Sequence, residues 1–175
     1  MDKYIKKHLG KTPQLVMAKS PMKVASTEKV EKSLKYQELI DKQKLTECPK
    51  NCKESELEAY RWVLTPLDNE NNFLPVMQYS QKNNRPMRRL TSDDGRCAGC
   101  AGLSMFDSLE NARNRFAGFE KKIQTLLGYT HVAAGQITKD MGIVSEISPD
   151  SGHFALYEYK NVDLRTTFTI ASTIF

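Results

Sequence analysis

Between Ala59 and Thr65 the side chains alternate, with Tyr60, Trp62 and Leu64 on one side and Arg61, Val63 and Thr65 on the other, the two-residue period of a strand. Residues 101–106 (AGLSMF) read as a second strand that runs into a helix. That helix carries Leu109, Ala112, Phe116, Phe119, Ile123 and Leu126 at steps of three and four, with Asp107 and Glu110 as a capping box and Gly128 as its stop. Four short strands follow at 129–137, 142–147, 153–159 and 165–171, and the turn clusters TKDMG and SPDSG between the first three predict neighbouring antiparallel strands. In HFALYEY, Phe154, Leu156 and Glu158 share one face while His153, Ala155, Tyr157 and Tyr159 share the other, which leaves a polar-aromatic face for solvent or a ligand. The expected class is α+β, with one main amphipathic helix packed on a largely antiparallel sheet.

The rest of the chain is less periodic. Residues 66–99 are rich in Asn, Pro, Asp and Gln and read as a long loop, with FLPVM at 73–77 as an edge strand. Residues 10–26 contain two prolines and read as an extended arm, whereas Val30, Leu34 and Tyr36 or Ile40 give residues 27–44 a thin helical stripe capped by Ser26 or Thr27. So narrow a stripe needs a surface to rest on.

Charge then divides the chain near residue 56. Residues 1–56 hold 13 Lys, no Arg and 8 acidic groups, a net charge of +5, while residues 57–175 hold 13 basic and 13 acidic groups and are neutral. With Tyr4 and Tyr36 as its only aromatic residues, the first part lacks the apolar surface to fold alone. The expected organisation is a basic arm at 1–56 and a single α+β domain at 57–175.

No apolar run approaches the ~18 residues that span a bilayer, and MDKYIKKHLG is not followed by the apolar core of a secretory signal, so a cytoplasmic location is expected. A reducing cytosol argues against disulfides. Cys48 with Cys52 (CPKNC) and Cys97 with Cys100 (CAGC) are then either free thiols or the four ligands of a structural zinc ion, since pairs two to four residues apart let a turn present two donors to one tetrahedral metal. The 44 residues between the pairs exceed the spacing of compact zinc ribbons. His8, His131 and His153 do not form a metal-binding pattern, and a histidine that opens a strand is ordinarily a hydrogen-bonded structural residue. The glycine patterns of phosphate-binding and dinucleotide-binding loops are missing from the sequence, and no internal repeat is visible.

Basic residues outside the arm cluster at Arg85, Arg88, Arg89 and Arg96, with Arg113 and Arg115 on the main helix. Guanidinium groups favour phosphate and carboxylate partners, so the loop is a candidate clamp for a nucleotide or nucleic-acid backbone, or a solvated loop balanced by Asp93 and Asp94. The lysines of the arm act as hydrated point charges suited to any polyanion, and Val30, Leu34 and Ile40 offer a surface to a protein partner.

Arg61 in YRWVL, Ser104 in GLSMF and Glu158 in a late strand follow an order that resembles the ADP-ribosyltransferase-like enzymes. The resemblance implies that Arg61 holds phosphate of NAD and that Ser104 positions the cofactor. Glu158 would stabilise positive charge developing on the ribose, with Glu146 a second carboxylate available for that role. Two functions are therefore expected: a binding or regulatory protein that engages an acidic nucleic acid or protein through its arm and Arg-rich loop, or an NAD-using transferase.

Overall fold

The computed structural model describes residues 32–85 and 90–175. Its strands are β1 (Leu57–Val63), β2 (Leu103–Phe106), β3 (His131–Ile137), β4 (Gly142–Val144), β5 (His153–Glu158) and β6 (Phe168–Thr173). They form one sheet in the order β4-β5-β2-β1-β3-β6, antiparallel throughout. The α+β class follows directly. The expected pairing of β3 with β4 does not occur, because both edges of β3 are taken: β1 pairs with it from Leu57↔Ile137 to Val63↔His131, and β6 holds its other side. TKDMG is therefore a crossover to the far edge of the sheet, where β4 pairs with β5.

One main helix is replaced by five short ones: α1 (Gln37–Lys42), α2 (Val76–Lys82), α3 (Asp93–Ala101), α4 (Leu109–Ala117) and α5 (Lys121–Leu127). The expected helix at 107–126 is α4 and α5 with a break between them. Ser108, rather than Asp107, caps α4 by accepting from the Asn111 amide. At the break, the buried Gln124 side chain donates to the carbonyls of Phe116 and Phe119 and satisfies groups that a continuous helix would have paired internally. Only the first part of the apolar stripe is core: Ala112 and Phe116 are buried, whereas Ile123 and Leu126 stand exposed. Residues 73–77 contribute to a loop and the first turn of α2, not to an edge strand, and residues 93–101 are helical with Ser92 as the cap.

The two faces of the sheet are buried differently. On one, Val63, Leu103, Met105, Phe154 and Leu156 pack under Phe73, Leu164 and Phe168 in a continuous core. On the other, Ile40, Cys97, Cys100, Ala155 and Tyr157 form one cluster and Trp62, Phe106, Phe116 and Val132 form a second. Fully burying each large side chain in these clusters contributes roughly 1.5–3 kcal/mol.

Charge places its boundary at 56, but the compact unit begins at Glu31. Ile40 is 1% exposed within the second face's first cluster, and bridges at Leu34↔Tyr159 and Lys53↔Val144 attach the flanking segments to the sheet. A few apolar side chains suffice, because the sheet supplies the surface that the thin helical stripe requires. The helix expected at 27–44 is observed only as α1, while its first residues and the extended arm at 10–26 lie outside the described residues.

Candidate active site: a cleft on the divided face

A cavity of about 440 Å³ lies between the two clusters of the divided face, within the ~300–1,000 Å³ typical of small-molecule sites. Trp62, Ser104, His153 and Ala155 come from β1, β2 and β5, and α2, α3 and the end of α5 supply walls that include Tyr79, Gly99 and Tyr129. Backbone runs close at the end of α3: a Cβ on Gly102, the residue that caps it, would come within 3.0 Å of the Ala98 carbonyl, while one on Gly99 would displace the end of the Leu90 side chain. Trp62 is fixed by an indole N–H donated to the Ala112 carbonyl at 2.8 Å and by ring contacts with Phe106 and Phe116.

Arg61 is buried and forms part of the cavity wall. It donates Nε–H to the Asn72 carbonyl at 2.7 Å, and its terminal nitrogens to the carbonyls of Ser104 at 2.7 Å and Leu74 at 3.1 Å. The cost of desolvating its charge is offset by these three bonds, yet it makes no ion pair among the described residues. Five N–H groups are available to a guanidinium, so two are left without a partner among the described residues. Burial lowers its pKa, opposed by Tyr129 and Glu158, but an arginine stays charged at neutral pH. A fixed positive charge thus borders an otherwise largely apolar cleft.

Ser104 and His153 meet beside it, with the Ser104 hydroxyl 2.7 Å from His153 Nε2. Their strands explain the encounter: β2 and β5 run antiparallel, with Ser104 opposite Ala155 and Phe106 opposite His153, so Ser104 and His153 are diagonal neighbours on one face. Burial first, then the positive charges of Arg115 and Arg61, hold His153 below the usual histidine range and hence neutral at pH 7. A neutral imidazole can accept a proton from Ser104 or from a molecule that the hydroxyl orients.

Of the residues expected to act together, Arg61 and Ser104 share the cavity and Glu158 is not among the residues that line it. Glu158 is 1% exposed, with Oε1 held by Lys35 at 3.0 Å and Oε2 without a hydrogen-bond partner among the described residues. Burial raises its pKa, and Lys35 opposes the shift. Its period along β5 puts it on the face of Phe154 and Leu156, opposite His153. The third residue beside the cleft is therefore His153, which sequence alone presents as an ordinary strand-opening histidine. Glu146 likewise does not line this cleft.

The arginine cluster divides. Arg85 lines the cleft, stacks over Tyr79 at 5.2 Å and donates to the Leu126 carbonyl. Arg96 points elsewhere, to Asp93 at 3.2 Å and the Gln43 carbonyl at 2.8 Å. Arg88 and Arg89 lie outside the described residues. The four cysteines belong to one apolar neighbourhood, but Cys48 and Cys97 are joined by a disulfide, contrary to the expectation of reduced thiols, and Cys52 and Cys100 are free. His131 bonds to its neighbour Thr130 at 2.9 Å.

Among the described residues no helix is long and apolar enough to cross a membrane. Comparison with known proteins finds no matching family model, no similar curated protein and no similar solved structure.

Proposed function

We propose that the chain is an enzyme that binds a phosphate-bearing nucleotide of the NAD class in the cleft and acts at its nicotinamide ribose. The observation that carries this reading is the buried Arg61 guanidinium, with no carboxylate partner among the described residues, in the wall of the cavity that also contains Ser104 and His153. Arg61 would hold a phosphate oxygen through its remaining N–H groups, at a site where low dielectric strengthens the interaction. Trp62, Tyr79 and Tyr129 offer aromatic surface to a planar base.

The chemistry asked of the site is cleavage of the bond between the ribose C1′ and the nicotinamide nitrogen. The bonding pair leaves with the ring as neutral nicotinamide, and an acceptor oxygen bonds to C1′ as His153 accepts that oxygen's proton. Ser104 orients either the acceptor or a ribose hydroxyl. Glu158 has no direct part in this scheme.

Incubating the full chain with NAD and measuring nicotinamide tests the reading. Ser104→Ala and His153→Ala are expected to lower the rate by about 10²–10⁴-fold, the usual contribution of a positioned acid or base, and Glu158→Gln to leave it nearly unchanged. Absence of both binding and nicotinamide release in the wild-type chain removes the proposal. Binding to an acidic macromolecule through the lysine arm and Arg-rich loop is the competing reading; salt-sensitive binding without turnover would favour it.

A further inference from the structure

The four cysteines come from two stretches whose bonded members are 49 residues apart, yet all contribute to the cluster around Ala155 and Tyr157. The Cα atoms of Cys48 and Cys97 are 5.6 Å apart. Cys100 lies one turn further along α3, its thiol donating to the Cys97 carbonyl at 3.4 Å. Cys52 closes the short turn after Cys48, its thiol donating to the Lys50 carbonyl at 3.3 Å. Each pair presents two sulfur atoms from one local turn, and the fold brings the pairs together.

With the Cys48–Cys97 bond closed, no group of three or more His, Cys, Asp or Glu side chains among the described residues is arranged to hold a metal ion. Opening that bond changes the donor set from two free thiols to four. We propose that the reduced chain binds one zinc ion through Cys48, Cys52, Cys97 and Cys100, so that disulfide and metal are alternative states of one clamp between the 48–52 turn and α3. Four thiolates with two to four residues between or across each pair match the donor chemistry of a closed, structural zinc site.

Reduction needs two equivalents of a monothiol of the glutathione class: the S–S bond breaks, each protein sulfur gains an electron and a proton, and the two donors leave as one disulfide. Binding then releases four thiol protons to solvent as four Zn–S bonds form. Lys50 and Arg96 lie on the same turn and helix as the ligands, each paired with a carboxylate, Glu47 at 2.8 Å and Asp93 at 3.2 Å. Cys97 is buried but borders a second cavity of about 570 Å³ with Lys50 and Asn51, and its partner Cys48 is only half-buried.

The clamp would fix α3, which is also a wall of the nucleotide cleft, but the zinc proposal does not depend on the activity assigned to that cleft. Its test is native mass spectrometry of the full chain, purified with a thiol reductant, with zinc as the added probe and alkylation to count thiols. One zinc per wild-type chain is expected, together with loss of the metal on oxidation by diamide as the Cys48–Cys97 bond forms. Cys52→Ser and Cys100→Ser retain both residues of the disulfide, so they keep the oxidised fold while weakening zinc binding by more than ~100-fold, beyond the range seen when only an outer partner of a ligand is lost. Reduced wild-type protein that carries no zinc, or Cys52→Ser protein that binds it as tightly as wild type, would overturn the proposal.

Discussion

The two faces of the sheet bury similar side chains to opposite effect. Leu103, Met105, Phe154 and Leu156 on the first face close into one core. On the second, an interruption between the Tyr157 and Trp62 clusters becomes a cleft. Two charges are also taken from water, at Glu158 and Arg61. Glu158 is answered by the ammonium of Lys35, whereas Arg61, in the cleft wall, is answered by neutral carbonyls alone. The difference separates structure from function: a charge paired within the chain has its counter-ion already, and a charge satisfied only by dipoles retains an attraction for an anion from outside.

The comparison can be broken most severely at Phe116, which supports the second face from α4 and is 1% exposed. Phe116→Asp buries an unpaired carboxylate where an aromatic ring packed against Trp62, at a cost above ~3 kcal/mol. Loss of the thermal transition and of soluble protein is expected; an unchanged melting curve would contradict the packing described.

Lys35→Met tests the paired charge. It leaves Glu158 buried without its cation and should cost about 1–3 kcal/mol at neutral pH, read from denaturant unfolding. The sign of the pH dependence follows from the raised pKa of Glu158. Between its unfolded and folded values the native state binds more protons, so stability falls as pH rises through the folded value and is regained on acidification. The variant should therefore differ less from wild type near pH 4.5, the ordinary value of the group, than at pH 7. Glu158→Gln, which removes the charge, is expected to be nearly neutral in stability and activity.

His153 sharpens the comparison from the other side. Because its folded pKa is lowered, the base stays unprotonated to a lower pH than an ordinary histidine, and the acid limb of the pH–rate profile should lie below pH 6.5. The same shift means the unfolded chain binds the additional proton, so this contribution to stability is present at higher pH and is lost as pH falls through the folded value. An acid limb at or above the ordinary histidine range would place the base elsewhere. The smallest effect is expected at exposed Ser104: its replacement by Ala should change stability by no more than about 0.5 kcal/mol while nicotinamide release collapses.

Local periodicity made the strands legible. The alternation in YRWVL and HFALYEY correctly separates Arg61 from Trp62 and Glu158 from His153, because a side chain's face is set by the backbone pleat. What alternation cannot supply is which strands become neighbours. The diagonal meeting of Ser104 with His153 depends on the β2–β5 register, a relation between residues 49 apart. The helices at 76–82 and 93–101 were obscured by their composition: short segments containing Ser, Asp and Gly have little intrinsic preference and owe their form to capping and packing. The charge boundary at 56 and the packing around Ile40 record different things, since formal charge counts lysines and overlooks a single well-buried apolar side chain.

Trp62 is the only tryptophan in the chain and lines the cleft, so its fluorescence reports directly on the site. The decisive measurement is titration of the full chain with NAD, followed by Trp62 emission. A saturable change that Arg61→Met weakens by at least ~10-fold, the equivalent of about 1.4 kcal/mol, is the result the account predicts, provided the variant keeps its melting transition. Emission unchanged by NAD up to millimolar concentration would contradict the claim that the unpaired guanidinium marks a nucleotide site.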